Sequence, residues 1–330
     1  MNAEWRGLPL AVRGTKLTSQ RGRAVNESDQ GRNLSRRTFL RRLLVGSSGL
    51  LVGSAIVATL VWRRRAEGKW IAAAGDVAAN RNSDRVEQTA QLIVDDPAVK
   101  HVFAMGDVQY SGDYELYDST WGRFREKTLP CPGNHDYGSA GPISIYDDYW
   151  GPLAPMQNGR NYVKSLECGW TVFSLDSDAG YEPSLAWLEE QLSALPPSQK
   201  IVAFWHHPIY IEEGTEVDTP NVVPMFEKLM EHRCDLVLYG HKHNYARYPR
   251  MGSSGRPDPR GPFCILVGTG GTFLNTDLGS GGNLDSTLGR WGVMKLFLDP
   301  DGFKGAFVDH TGARVDVIDD GNGGLIQCLR

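Results

Sequence analysis

Cysteine is scarce in this 330-residue chain, with only 5 in all. They stand at 131, 168, 234, 264 and 328, and no two form a CxxC pair. That spacing excludes a zinc ribbon and a dense disulfide framework. An odd, scattered set specifies no disulfide even in an oxidising compartment, so the cysteines read as small buried hydrophobes. Internal repeats are missing too, which excludes a solenoid or propeller. Positive charge is lacking across most of the chain. Residues 1–65 carry 13 Lys and Arg against 3 Asp and Glu; of the chain's 35 basic and 39 acidic residues, 22 and 36 remain for 66–330, a net of −14. An acidic body excludes a nucleic-acid binder held by a basic surface. It also means that an anionic substrate needs a local positive feature there, such as metal ions.

One long uncharged run is present. SRRTFLRR (35–42) precedes LLVGSSGLLVGSAIVATLVW (43–62), and Arg63, Arg64 and Arg65 follow. A twin arginine before a moderately apolar, Gly-containing segment resembles a Tat export signal, with Arg41 where that pattern usually has Lys. The alternative is an ordinary membrane helix with a basic cytoplasmic flank, since about 20 uncharged residues just span a bilayer core. Both readings place the acidic body outside the cytoplasm, in the cell envelope or secreted. No small-x-small cleavage site separates Trp62 from the basic triplet, so an uncleaved N-terminal anchor is expected. The implied organisation is a polar, disordered lead over 1–34, a signal or anchor over 35–65, and a catalytic body over 66–330. The Tat translocase and the membrane are the partners this implies; the oligomeric state is left open.

The body alternates short apolar runs with helical patterns. WIAAA (70–74), HVFAM (101–105), IVAFW (201–205), DLVLY (235–239) and FCILV (263–267) are runs of the kind that strands buried on both faces show. SDRVEQTAQLIV (83–94) places Val86, Ala90, Ile93 and Val94 on one helical face, and SLAWLEEQLSAL (184–195) does so with Leu185, Leu188, Leu192 and Leu195. A third helix is expected over 223–233. Hairpins are expected in NYVKSLECGWTVFSLDS, turning near Cys168–Gly169, and in VMKLFLDPDGFKGAFVD, turning at Asp299–Gly302. The pattern predicts an α/β domain with mixed sheets. Gly, Pro and Ser make 249–262 and 275–289 long loops.

The residues just beyond each strand carry the chemistry. After 70–74 come Gly75 and Asp76; after 101–105 come Gly106, Asp107, Val108, Gln109 and Tyr110. A short run ending at Cys131 and Pro132 leads into Gly133, Asn134, His135 and Asp136. After 201–205 come His206, His207 and Pro208, and after 235–239 come Gly240, His241, Lys242, His243, Asn244 and Tyr245. Any one of these reads equally as a polar turn. Ligands bind at the carboxyl ends of strands in open α/β sheets, so five such clusters can converge on one crevice. Five of the chain's 8 histidines lie in three of them. Together they form a metal-ligand inventory.

This ordered run (GD, GDxxY, GNHD, a His before Pro, GHxH) resembles the calcineurin-like metallophosphoesterases, in their purple acid phosphatase branch. The resemblance spans roughly 70–310, and VGTGG (267–271) is similar to bacterial members. It implies a four-layer α-β-β-α sandwich of two mixed sheets in a single catalytic domain. It implies two metal ions: one held by Asp76, Asp107, Tyr110 and His243, the other sharing Asp107 and adding Asn134, His206 and His241. Two carboxylates and a phenolate suit Fe(III), while an amide oxygen and two imidazoles suit divalent Zn, Mn or Fe. Ala78 stands where the wider superfamily has a metal-binding His and the branch usually has Gly; Tyr110 accounts for the lost ligand. Only a few residues separate Arg65 from the first strand, so the extra N-terminal β domain of plant-type members is not expected.

The activity implied is hydrolysis of phosphate monoesters on small phosphorylated substrates by attack of a metal-bound hydroxide. His135 would be the general acid at the leaving oxygen. Asp136 would orient His135 or serve as a plain turn carboxylate, and His207 would face substrate or pack against Pro208. Asn244 and Tyr245 are read as pocket or structural residues. A phosphodiesterase or nucleotide-cleaving enzyme on the same site is the alternative activity. A non-catalytic envelope binding protein is the alternative of another class.

Overall fold

The continuous apolar runs form the central strands of two sheets. In the computed structural model, which describes residues 67–320 apart from 80–82, 113, 140–141, 211–217, 277 and 279–284, β1 (Lys69–Ala74) runs parallel to β2 (Val99–Met105) and β2 to β3 (Thr128–Cys131). The lead and signal expected over 1–65, and Cys328, lie outside the described residues. β4 (Tyr162–Ser165) and β5 (Trp170–Ser174) make the first expected hairpin, with Gly169 in its turn at φ 84°. Then follow β6 (Lys200–Phe204), β7 (Leu236–Tyr239), β8 (Tyr245–Arg250), β9 (Phe263–Val267) and β10 (Ser286–Leu288). β11 (Gly292–Asp299) and β12 (Gly302–Asp309) make the second expected hairpin, and β13 (Arg314–Asp319) pairs beside it.

The six-stranded sheet has the order β13-β12-β11-β1-β2-β3, and the seven-stranded sheet the order β10-β8-β9-β7-β6-β5-β4. Both are mixed. β5, β6, β7 and β9 are mutually parallel, as are β1, β2 and β3, so each sheet presents a row of carboxyl ends along one edge. Among the described residues five α-helices accompany them: α1 (Ser83–Val94), α2 (Glu115–Thr120), α3 (Ser144–Trp150), α4 (Leu185–Ser193) and α5 (Val223–Glu231). Ser184 caps α4 by accepting the Trp187 amide N–H at 3.2 Å.

Alternation along β6 shows the layering. Val202 and Phe204 face the first sheet, where the Phe204 ring stacks on Phe103 at 4.9 Å. Ile201 and Ala203 face the other way, into a second core with Leu188 and Leu192 of α4 and Met225, Phe226 and Leu229 of α5. α1 buries Val86, Ala90 and Ile93 in the core of the first sheet. The result is the expected four-layer α-β-β-α sandwich in one domain. Each buried ring in the inter-sheet layer contributes about 2 kcal/mol by leaving water.

Several details differ from the expectation. Val94 is exposed, because it sits about 100° round the helix from Ile93. Leu185 is exposed as the first residue of α4, and Leu195 is only partly buried. The 249–262 stretch begins inside β8 and is tightened by a bridge from Met251 to Pro257, and β10 occupies part of 275–289. α2 and α3 are too short for a period to show. Aromatic packing holds them: Tyr114 stacks on Tyr149 at 4.1 Å, and Tyr117 meets Trp150 edge-on at 5.7 Å. Cys131, Cys168, Cys234 and Cys264 are free and buried, as small hydrophobes.

Candidate metal centre

The ends of β1 and β2 stay side by side past their last paired residues. The Asp76 amide donates to the Gly106 carbonyl at 3.1 Å and the Val77 amide to the Asp107 carbonyl at 3.0 Å. Both aspartates then turn inward through left-handed backbone, Asp76 at φ 60° and Asp107 at φ 50°. His241 at 78° and His243 at 53° do the same at the end of β7. Among the described residues only Arg233 joins these four as a non-glycine with positive φ. A left-handed side chain costs on the order of 1 kcal/mol, and such residues gather at functional sites.

Two groups of donor atoms result. In the first, the Tyr110 hydroxyl donates to Asp76 Oδ1 at 3.1 Å and lies 3.1 Å from His243 Nε2, which is itself 3.2 Å from Asp76 Oδ1. Asp76 Oδ2 accepts the His241 amide N–H at 2.7 Å, which fixes the carboxylate. In the second, His206 Nε2 is 3.2 Å from Asp107 Oδ2, 3.1 Å from Asn134 Oδ1 and 3.2 Å from His241 Nδ1. The Nδ1–H of His206 donates to the Met105 carbonyl at 2.9 Å, so Nε2 is the ring atom that faces the group and offers a lone pair once the ring is neutral. All seven residues expected as ligands are thus brought together. Every oxygen donor comes from the first sheet and every imidazole from the second.

The donor set fits cations. The second group is four acceptor atoms facing one another, with no proton of their own to share once His206 is neutral. Asp107 Oδ2 is buried with no hydrogen-bond partner, which is costly unless a cation meets it. Separations of 3.1–3.2 Å are those of donors that share one ion at bonds of about 2.1 Å. The charge balance agrees: burial works against a proton on His206, yet Asp107 and then Asp76 push it up to about 10. Burial and the neighbouring His206 push His241 down to about 4, leaving it neutral and ready to ligate. Burial raises Asp76, but hydrogen bonding to His243 and three nearby imidazoles bring it down to about 2. Burial, then Asp76 and Asp107, hold the Tyr110 phenol well above its usual range, so it keeps its proton in this state.

Glycines allow this crowding. A Cβ on Gly133 would lie 2.3 Å from Asp107 Oδ1, and one on Gly240 would lie 2.8 Å from Asp76 Oδ2. His135 begins a helical turn over His135–Ser139. Its amide donates to Asp107 Oδ1 at 2.8 Å, its ring packs 4.3 Å from Tyr110, and its Nε2 is 3.9 Å from Asp107 Oδ2.

Asp136, expected to orient His135 or to serve as a turn carboxylate, serves its own turn and also reaches the backbone of the Asp107 loop. Oδ2 accepts the Asp107 amide at 3.0 Å and the Gly133 amide at 2.9 Å, and Oδ1 accepts from Gln109 at 3.4 Å. Burial and then the Asp107 charge push its carboxyl up to about 8. It clamps two ligand-bearing loops together.

His207 lies with its ring 4.5 Å from His241, and its Nδ1 is 3.0 Å from Ser177 Oγ. The same Oγ accepts the His207 amide at 2.9 Å. Burial and then the neighbouring His206 and His241 push His207 down to about 2. Asn244 and Tyr245 are structural: both are fully buried, and the Tyr245 hydroxyl donates to Asp316 at 2.8 Å. Sequence reasoning marked VGTGG (267–271) but missed Gln109, Ser177 and residues 272–274. Gln109 lies inside the GDxxY motif at a position the motif leaves open, and the other two give no local signal.

Purple acid phosphatase 23 of Arabidopsis thaliana is 26% identical over 250 residues, covering 63% of this chain and 54% of that protein. The Fe(3+)-Zn(2+) purple acid phosphatase 12 of the same plant is 25% identical over 217 residues, covering 57% and 45%. The chain thus spans about half the length of these relatives. Among solved structures, a purple acid phosphatase from yellow lupin (Lupinus luteus) seeds superposes with a TM-score of 0.58 at 17% identity, over 77% of this chain and 54% of that one, a likeness of fold. The pattern described as calcineurin-like phosphoesterase matches residues 69–245, more than half the chain and all seven candidate ligands, and the chain belongs to that family.

Proposed function

We propose that this protein hydrolyses phosphate monoesters at a centre of two metal ions, an acid-phosphatase-like activity of the domain over 66–330. The observation that supports this most is the second donor group, where a partnerless buried carboxylate oxygen faces an amide oxygen and two imidazole nitrogens. In this reading Asp76, Tyr110 and His243 hold one ion, Asn134, His206 and His241 the other, and Asp107 serves both. The anionic first set suits Fe(III) and the largely neutral second set a divalent Zn, Mn or Fe; the metals named for the Arabidopsis Fe(3+)-Zn(2+) relative support a trivalent–divalent pair. Bound there, the two ions supply an activated water at neutral pH and offset the charge of the phosphoryl oxygens.

The chain's own residues do the rest. Tyr110 would hold a trivalent ion as its phenolate. His135, half-buried and fixed by its amide on Asp107, is placed to protonate the leaving oxygen. His207, kept neutral, is placed as a hydrogen-bond partner for a phosphoryl oxygen, with Ser177 fixing its ring. Asp136 keeps the loops of Asp107 and Asn134 in register. The proposal includes export through the Tat-like segment over 35–65 and retention by it as an anchor.

Initial rates of the metal-loaded protein on phenyl phosphate and on diphenyl phosphate, from acidic to mildly alkaline pH, test the activity. A monoester preference supports it. A diester preference moves the protein to a phosphodiesterase on the same residues, and no hydrolysis of either leaves a binding role. Export is checked by cell fractionation of the 330-residue chain beside an Arg36→Lys, Arg37→Lys variant, which should stay in the cytoplasm.

A further inference from the structure

Phe273 stands in an unusual place for an apolar ring. It is 61% exposed, the most exposed large hydrophobic side chain among the described residues, and it meets the ring of His243 edge-on at 4.4 Å. A single exposed Phe calls for no explanation on its own. This one is held in position on both sides. Before it, the Gly270 amide donates to the Gly75 carbonyl at 2.9 Å and the Thr272 amide to the Asp76 carbonyl at 3.1 Å. After it, the Asn275 amide donates to the His243 carbonyl at 2.9 Å. The Trp291 indole N–H also donates to the Thr272 carbonyl. Gly271, at φ 155°, has no room for a side chain: a Cβ there would lie 2.6 Å from Val86 Cγ2 and 2.8 Å from the Val77 carbonyl. The backbone bonds that place Asp76 and His243 therefore also place an exposed aromatic ring beside them.

We infer that Phe273 is a specificity-determining residue, a stacking wall for the organic group of the substrate, and that the site favours phosphate esters whose planar aromatic ring is attached directly to the phosphate. This rests on the phosphoesterase reading above. The ring adjoins a candidate ligand, so it reaches a group one bond from the phosphate. A ring 61% exposed beside an acidic, metal-seeking cleft gives an aryl group somewhere to leave water, and an aromatic pair adds a preference for a flat partner. An alkyl or polyhydroxy ester gains little from such a wall.

Non-hydrolysable ligands test this without interference from leaving-group reactivity. The metal-loaded 330-residue protein is titrated calorimetrically with phenylphosphonate and with methylphosphonate, and the titrations are repeated with Phe273→Ala and Phe273→Trp. Phenylphosphonate should bind the native protein about fivefold tighter than methylphosphonate. Phe273→Ala should remove that preference while methylphosphonate affinity stays within about twofold, which also shows that the variant is folded. Phe273→Trp should retain the preference. Equal affinities in the native protein, or a preference that survives in Phe273→Ala, overturns the inference and leaves the phosphoesterase reading intact. Failure of both phosphonates to bind the metal-loaded native protein overturns the reading on which the inference stands, and the inference with it.

Discussion

Gly133→Ala should do its damage through one neighbour, Asp107. The added Cβ would lie 2.3 Å from Asp107 Oδ1 and 2.5 Å from its amide nitrogen, so Asp107 must move by about 1 Å to restore van der Waals contact. Asp107 cannot move alone. Its amide donates to Asp136 Oδ2 at 3.0 Å and its Oδ1 accepts the His135 amide at 2.8 Å. Overpacking of this kind costs about 1–3 kcal/mol, and weakening the two hydrogen bonds adds about 1 kcal/mol each. The expected fall of about 3–5 kcal/mol corresponds to a Tm lower by about 6–20 °C for a domain of this size. Metal content should fall too, since the displaced carboxylate carries the partnerless Oδ2. Gly180→Ala separates sterics from backbone strain: Gly180 has φ 89° with open space around its Cβ position, so that change should cost only about 1 kcal/mol and leave metal content alone. Thermal melts and elemental analysis of both variants decide the matter. Native Tm and native metal content in Gly133→Ala would refute the close-approach argument.

Tyr110→Phe should abolish the visible absorption band of iron-loaded protein while leaving the fold intact; a native band in the variant places the phenolate elsewhere. Burial pushes the Asp176 carboxyl up to about 7, against about 3.9 in an unfolded chain. Its contribution to stability is therefore present at low pH and lost as pH rises from about 4 to 7. Asp176→Asn should accordingly gain stability relative to the native protein across that window in urea melts at several pH values, and a flat difference would sink the idea. Metal removal by a chelator should lower stability by about 4 kcal/mol where the free ion had stood at about a thousand times its Kd. An unchanged melt would argue against the donor groups as ion sites.

The site was legible in the sequence because its residues come at strand ends, where a short apolar run and the glycine after it mark position by themselves. Asp76, Asp107, Asn134, His206 and His241 could each be placed at the carboxyl end of a strand without knowing strand order. The sheet hairpins were legible through Gly169 and the Asp299–Gly302 turn. Features that depend on contacts distant along the chain stayed hidden. Asp136 sits in the GNHD motif, yet its partners are the amide of residue 107 and the side chain of residue 109. Phe273 lies in a Gly-rich loop whose position is set by carbonyls at 75, 76 and 243. α2 and α3 depend on rings from both helices and have no period to read.

The strand order of the first sheet also has a consequence for how the protein is made. β1, the first described strand, pairs on one side with β2 and on the other with β11, roughly two hundred residues later. While the chain emerges from the ribosome, the carboxylate-bearing half is complete long before its outer neighbour exists. The imidazoles arrive later than the oxygens. Assembly must wait for nearly the whole polypeptide, and such long-range pairing is intrinsically slow. A nascent fragment ending before residue 206 would hold hard oxygen donors with no imidazole to complete either group. In the proposed reading, ion binding would follow synthesis of both halves of the site, oxygens first and imidazoles second.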